Sequence, residues 1–456
     1  MKKSSVFIPF TFLSLLSVSS GATNKVSSPN FIVILSDDQS WVGTSFLTDP
    51  EDPRSKSDYY QTPNMDRLAQ MGMRFSNGYS AAPYCCPSRK SILTGLTPAK
   101  HEYQQDRVNW TKEFRKQLTI PQMLKKANPK YQTAHFGKWD ARYDEVTPAE
   151  MGYDYSDGLT TNGTGGGRGM KWPVALEDPK LIFSLTERAG KFLEKQVSEG
   201  NPFYLQVSHY AVHLGMTYTQ KSIDKYKKLK PGVKDNIPEF AAMTEDLDSG
   251  IGILLDKVEA LGLLKNTYII FMSDNGGRTS QPIGGKQKLT GNYPLREGKG
   301  TMYEGGIRVP FVVVGPNVQK NSYSSVPVTG LDILPTLADL AGYKEKLPGA
   351  IDGGSFNKVI HNNGKGEVQR NLPYLIFHHA VDRRAQSAIR EGNFKLVKTW
   401  ENNALELFDL SKDVGEEIDL AEKMPEKVKE LDDKLVSFMN RVHAETKQTI
   451  KGKSDD

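Results

Sequence analysis

Runs of apolar and β-branched residues at 30–35, 203–207, 267–272 and 311–314 recur along the chain with almost no polar interruption. Strands covered on one face alternate apolar with polar positions. Continuous runs of this length instead predict strands buried on both faces of a parallel sheet. Residues 131–136 read as a further strand. Between the strands the period changes to that of helices. Thr62 is placed as an N-cap with Pro63 at the first position, Met65, Leu68 and Ala69 share one face, and Gly72 follows the end. Residues 115–127 read as one helix and residues 332–341 as another. Met243, Leu247, Ile251, Leu254, Leu255 and Val258 form the stripe of a long helix. Alternation of this kind predicts an α/β fold: a large doubly wound, mixed but mostly parallel sheet flanked by helices. Beyond about residue 365 the strands shorten to 374–377, 387–390, 394–398 and 406–409, the spacing of a small antiparallel sheet. A last helix carries Val428, Leu431, Leu435, Phe438 and Val442. The expected division is an α/β domain over 23–365, an antiparallel subdomain with its helix over 366–446, and a disordered polar tail over 447–456.

The first residues belong to none of this. Lys2 and Lys3 precede an apolar run at 6–18, then Ser19, Ser20, Gly21 and Ala22. That order predicts a cleaved secretory signal peptide over residues 1–22, and the run is too short to span a membrane. No later stretch predicts a membrane span, so a secreted or periplasmic location is expected. Losing that segment lowers the formal charge from +5 to +3, because it holds two Lys and no acid. So small an excess excludes a nucleic-acid binder as the default reading. The two cysteines, Cys85 and Cys86, are adjacent and have no partners elsewhere. Disulfides therefore do not hold the fold together, and a large core must.

Candidate chemistry gathers where the strands end. The first runs into Asp37-Asp38 and the fourth into Asp274-Asn275, and ligand sites in α/β sheets form at strand carboxyl ends. Each pair alone is also explained by a turn or a helix cap. Together they are hard oxygen ligands suited to Ca²⁺ or Mg²⁺. The strand at 131–136 leads to Gly137-Lys138-Trp139-Asp140, and that at 203–207 to His209 and His213. Residues 163–169 are nearly all glycine, but the Gly-Lys-Ser/Thr ending of a phosphate loop is absent, so they read as a flexible surface loop. Cys85 precedes Pro87, and residues 88–94 read as a short helix stopped by Gly95. Cys85 then sits at a helix N-terminus with Arg89 one turn on. A pair of small packing residues is the competing reading.

The string Cys85-x-Pro87-Ser88-Arg89-x-x-x-Leu93-Thr94-Gly95 resembles the signature of the formylglycine-dependent sulfatases. The resemblance extends over most of 28–410, through GKW at 137–139, AVH at 211–213, GKGTMYEGGIRVP at 298–310 and Glu406-Leu407-Phe408-Asp409-Leu410. It implies an alkaline-phosphatase-like fold and hydrolysis of sulfate monoesters through a calcium-bound formylglycine hydrate at residue 85 and a sulfated-enzyme intermediate. One calcium ion would be held by Asp37, Asp38, Asp274 and Asn275 together with residue 85. Arg89 would steady the aldehyde hydrate, Lys138, His213 and Lys299 would contact the ester, and a formylglycine-generating enzyme would act on the Cys85 motif. His213, assisted by Lys299, is the candidate general acid.

One residue departs from the family pattern: Asp140 stands where the family usually has His. Asp140 is expected to be a base or a substrate-orienting residue, with His135 or His209 as alternatives. The resemblance to bacterial polysaccharide sulfatases implies a sulfated carbohydrate, of carrageenan or ulvan type. His378 is the candidate sugar contact, with His379, Arg383 and Arg384 beside it, and a charged surface turn is the competing reading. Two further functions stay open: a phosphonate or phosphate ester hydrolase on the same scaffold, and a non-catalytic glycan-binding relative.

Overall fold

The computed structural model describes residues 28–101, 107–140, 145–165, 171–279, 291–380 and 385–446, besides Met1 and Ser4, with only the backbone of 107–110. The apolar run of the expected signal peptide, most of the glycine-rich loop, Arg383, Arg384 and the tail from 447 lie outside the described residues.

Eight strands form the main sheet: β1 (Asn30–Ser36), β2 (Met73–Phe75), β3 (Gln132–Gly137), β4 (Tyr155–Ser156), β5 (Phe203–Ser208), β6 (Thr267–Ser273), β7 (Phe311–Val314) and β8 (Ser322–Ser324). Their order is β8-β2-β7-β6-β1-β5-β3-β4. The pairs among β6, β1, β5, β3 and β4 are parallel, whereas β7 runs antiparallel to both β6 and β2. The sheet is therefore mixed and mostly parallel, as the uninterrupted apolar runs required.

Successive residues of β1 point to opposite faces, and both are covered. Ile32 and Ile34, with Leu205, Val207 and Phe271, pack under helices α1 (Pro63–Met71), α4 (Ile182–Glu199) and α5 (Pro238–Ala260). Phe31, Val33 and Leu35, with Tyr204 and Met272, pack against α2 (Cys85–Thr94), α3 (Ile120–Ala127) and α6 (Ile333–Leu340). One expected helix needs correction, and one observed helix has no counterpart among the expectations. The helix read over 115–127 is two, Arg107–Arg115 and α3, because Thr119 caps a new start: its hydroxyl accepts from the Gln122 N–H, with Pro121 in the first turn. Helix α4 was not anticipated, although Ile182, Leu185, Ala189, Phe192 and Leu193 give it a buried face.

The four-stranded antiparallel sheet follows as β9 (Leu375–His379), β10 (Gln386–Glu391), β11 (Phe394–Thr399) and β12 (Ala404–Asp409), with α7 (Pro425–Arg441) on one face. Its other face lies on Tyr79, Met302, Tyr303 and Ile307 of the main unit. A buried charge network crosses this contact. Lys395 of β11 places its ammonium 2.9 Å from Glu304 and 2.8 Å from Glu416, all three side chains out of solvent. The Glu416 carboxylate also accepts the Glu304 N–H at 2.6 Å, and the Tyr79 hydroxyl donates to Glu304 at 2.7 Å.

Removing the cation of such a network leaves two carboxylates buried without it. Lys395→Met is expected to cost about 3–5 kcal/mol of unfolding free energy in denaturant titration. A loss under about 1 kcal/mol would show that the network adds no net stability.

Candidate active site

β6, β1, β5 and β3 lie side by side and parallel, so their carboxyl ends share one edge of the sheet. β1 ends in Asp37 and Asp38, β6 in Asp274 and Asn275, β3 in Lys138 and Asp140, and β5 continues to His213. The chain turns sharply at two of these ends, with φ of 59° at Asp38 and 55° at Asp140, a left-handed backbone that Asp tolerates better than most residues. The Asp38 N–H donates to Asp274 Oδ1 at 3.2 Å, and the Asn275 amide to Asp38 Oδ1 at 2.8 Å. Two strand ends are thus tied through their own acids.

Helix α2 brings the remaining groups down onto this edge. It begins at Cys85, three residues before the expected start, and ends at Gly95 in the left-handed conformation with φ 69°. Pro87 still falls in the first turn, where its missing N–H has no helical partner to lose. Cys85 Sγ lies 3.5 Å from Asp37 Oδ1 and 3.8 Å from Asp38 Oδ1. One turn on, Arg89 donates from Nε to Asp274 Oδ2 at 2.8 Å and from its Nη1 to the Lys138 carbonyl at 2.7 Å. Arg89 therefore orients one carboxylate and holds the end of β3. Lys299 arrives on a loop whose backbone is pinned by its N–H to the Gly277 carbonyl, 2.9 Å. Its ammonium sits 2.5 Å from Asp38 Oδ1 and 3.3 Å from Cys85 Sγ. Lys138 lies between two acids, 2.6 Å from Asp37 Oδ2 and 3.5 Å from Asp140 Oδ2. His213 Nε2 is 3.8 Å from Asp38 Oδ2 and 3.3 Å from the Asn162 amide nitrogen.

These charges are buried, and burial sets their protonation. Burial alone would raise Asp38, but Lys299, His213 and Lys138 outweigh it and hold that carboxyl far below the usual range. Burial also works against the charge of Lys138, and Asp140 and Asp37 overrule it to keep the ammonium well above its ordinary value. The same contest, won by Asp38, raises Lys299. Burial and Asp37 push Asp274 up. Burial, then Asp37, pushes the Cys85 thiol well up, so the unmodified side chain holds its proton and is a poor nucleophile. Burial and Lys299 push His213 down, with Asp38 working against them.

The donor set fits a hard divalent cation. Oxygens of Asp37, Asp38 and Asp274 and the sulfur of Cys85 all lie within 4.8 Å of one another, about twice a ~2.3–2.6 Å calcium–oxygen bond. Two buried oxygens here, Asp38 Oδ2 and Asn275 Oδ1, have no hydrogen-bond partner among the described residues. Unpaired buried acceptors are costly, and an ion among them removes the cost. Sulfur is the wrong donor for such an ion. Cys85 Sγ stands where a hydrated aldehyde would present oxygen.

The cluster contains Asp37, Asp38, Cys85, Arg89, Lys138, Asp140, His213, Asp274, Asn275 and Lys299. His378 is not in it. Neighbouring Ile376 packs toward α7, and His378, on the same face of β9, is fully buried with Nδ1 on Ser387 Oγ at 2.8 Å. His379, on the opposite face, packs its ring against that of Tyr84, the residue before Cys85, with centroids 4.3 Å apart and planes tilted by 35°. His135 is buried against Trp139 and Tyr153, its Nε2 3.1 Å from Ser208 Oγ, and is pushed down to about 3 by burial. His209, pushed down to about 4 by burial, makes no ring hydrogen bond among the described residues. Among the described residues neither ring hydrogen-bonds a member of the cluster. The sequence also gave no notice of Lys180. Its buried ammonium donates to the Leu214 carbonyl at 2.6 Å, and it stands alone before a helix with no motif around it.

A family model described as Sulfatase matches residues 29–343, and one described as N-sulphoglucosamine sulphohydrolase, C-terminal, matches 297–445. A sulfatase of Formosa agariphila is 28% identical, covering 93% of this chain and 90% of its own. An ulvan-active sulfatase of the same organism is also 28% identical, over 74% of this chain and 66% of its own. The crystal structure of Ps i-CgsB in complex with k-i-k-neocarrahexaose superposes with a TM-score of 0.72 at 25% identity, covering 92% of this chain and 94% of that one.

Calcium added to chelator-treated protein is expected to raise its thermal midpoint, because an ion bound only by the folded state adds ~2.7 kcal/mol at a hundredfold excess over Kd. The Asp38→Asn and Asp274→Asn variants are expected to lose most of that rise in scanning calorimetry. An equal rise in both variants would place calcium elsewhere.

Proposed function

The chain belongs to the sulfatase family and hydrolyses sulfuric esters; we propose that it acts on sulfated algal polysaccharides or their oligosaccharides, with residue 85 converted to formylglycine beside one calcium ion. The observation that carries this reading is the juxtaposition of Cys85 Sγ with Asp37 at 3.5 Å and Lys299 at 3.3 Å in one buried cluster of acids and cations. The choice of glycan is supported by relatives: one is described as ulvan-active, and one was solved with a neocarrahexaose. Export by a cleaved leader at 1–22 and maturation by a formylglycine-generating enzyme belong to the same proposal, since a polysaccharide is met outside the cell.

Asp37, Asp38, Asp274 and Asn275 would hold the calcium ion, which when bound polarises a sulfuryl oxygen. Formylglycine, when hydrated, supplies a geminal diol: one oxygen to attack sulfur and a second hydroxyl whose deprotonation lets sulfate leave. The chain does the rest. Arg89 keeps Asp274 turned inward and fixes the end of β3. Lys138 and Lys299, now paired with Asp37 and Asp38, are freed toward the substrate once those carboxylates face a cation, and they offset charge developing on the sulfuryl oxygens. His213 delivers a proton from Nε2 to the departing sugar oxygen. Asp140, 3.5 Å from Lys138, orients that ammonium. Proton removal from the second hydroxyl is the other task open to Asp140.

Mass spectrometry of the peptide spanning residue 85 is expected to find the aldehyde in place of the thiol. Purified enzyme is expected to release inorganic sulfate from ulvan- or carrageenan-derived oligosaccharides. Cys85→Ala should abolish release, and Lys138→Met or Lys299→Met should lower kcat by about 10²–10³. Sugar binding without sulfate release by aldehyde-bearing protein would refute the reading. Asp140→Asn with full turnover would remove Asp140 from both tasks.

A further inference from the structure

Lys180 is a buried cation that the steps above do not use. It lies just before α4, and it and Leu181 both take left-handed backbone, with φ of 53° and 54°. Two adjacent non-glycine residues in that region are strained, and strain of this kind persists only where surrounding contacts impose it. Two contacts do so. The Lys180 N–H donates to Thr217 Oγ1 at 3.1 Å, and its ammonium donates to the Leu214 carbonyl at 2.6 Å. One residue thereby clips both ends of the turn at 214–217.

The Leu214 carbonyl has a second neighbour. His213 Nδ1 lies 3.4 Å from the same oxygen, while its Nε2 faces Asp38 and Asn162. The contact is long, as catalytic hydrogen bonds often are before substrate is bound. A carbonyl behind the ring accepts from Nδ1–H and so determines which nitrogen keeps its proton when the other gives one up.

We propose that Lys180 is a positioning residue for His213: by holding the Leu214 carbonyl it fixes the ring so that Nε2, not Nδ1, delivers the proton to the leaving alcohol. The proposal rests on the reading of His213 as general acid. In the step concerned an oxygen of the residue-85 hydrate would bond to sulfur as the S–O bond to the sugar breaks. The broken bond's electron pair stays on the sugar oxygen, which takes the Nε2 proton of an imidazolium favoured by the negative charge of the bound sulfate ester. The neutral ring then keeps Nδ1–H on Leu214. No charge from Lys180 is transferred, and its ammonium is unchanged throughout.

A general acid matters for a poorly stabilised alkoxide and hardly for an activated phenoxide. The test therefore compares the calcium- and aldehyde-loaded enzyme on a sulfated oligosaccharide and on 4-nitrophenyl sulfate. The ratio of the two kcat values within one preparation is independent of how much enzyme is folded. His213→Ala calibrates the assay and should lower the sugar rate far more than the aryl rate. Lys180→Met should do the same in smaller measure, about 10–100-fold on the sugar and less than about threefold on the aryl ester, with KM little changed. Lys180→Arg, which can still donate to the carbonyl, should recover most of the ratio. Equal losses on both esters in Lys180→Met, or none on either, would overturn the proposal while leaving His213 as the acid. If His213→Ala itself lowers both rates equally, the reading of His213 falls, and the role of Lys180 with it.

Discussion

Four carboxylates crowded at one edge of a sheet are the constraint under which this structure is built. Asp37, Asp38, Asp140 and Asp274 are each nearly or wholly out of solvent. Like charges so close cannot all stay ionised unless cations stand among them. The chain supplies those cations from separate places: Arg89 from a helix, Lys138 from a strand end, Lys299 from a loop. Each sits within hydrogen-bond or ion-pair reach of the acid it balances. Removing one would leave a buried charge uncompensated, and removing Arg89 would also release a strand end, because Arg89 binds the Lys138 carbonyl as well as the Asp274 carboxylate. Electrostatics and local geometry are therefore one problem here.

The scaffold answers the positional half of that problem. Parallel pairing delivers four strand ends to one edge, each with its site residues within five positions of its last residue, and both faces of the sheet are sealed by apolar helices. Lys299 is harder to fix, since it lies on a loop. That loop is braced at both ends. Gly276 N–H donates to the Gly306 carbonyl at 2.9 Å beside the metal-ligand candidates, and Glu304 is locked by Lys395 and Glu416 from the antiparallel sheet. A Cβ on Gly276 would come within 2.0 Å of the Gly305 carbonyl oxygen, so this approach needs a glycine. The small sheet thereby acts on the site without contributing a residue to its charged cluster.

What was legible in the sequence follows from the same distinction. Strand ends could be read because a buried parallel strand is an uninterrupted apolar run, and whatever polar residue ends it must lie at the carboxyl edge. Asp37, Asp274 and Lys138 needed no further information. The Cys85 helix could be read because Pro87 and Gly95 mark its limits, although its start fell three residues early. Facing could not be read for His378 and His379. Strand β9 is apolar or aromatic on both sides, so nothing in its pattern says which histidine turns toward Cys85. Lys180 was invisible for a different reason. Its contact with Leu214 depends on two left-handed residues and a turn some thirty positions away, and no local pattern encodes either.

Asp140 is where charge arithmetic says most. Among the described residues three cations pair directly with the four acids, Arg89, Lys138 and Lys299, and Lys180 stands near enough to feel Asp37 and Asp38, so acids and cations together form a formally neutral assembly before any ion enters. A divalent ion would bring it to about two positive charges, enough to attract a singly charged ester. A histidine at 140 would leave the same assembly one charge more positive, and Lys138 would lose one of the two acids that keep it protonated against burial. An aspartate at that position is therefore compatible with anion binding, because the cation count is high enough to absorb it. It would also leave Lys138 a second anchor if Asp37 were engaged by a metal ion. The departure from the family pattern reads as a redistribution of charge within the site, with Lys180 part of the balance.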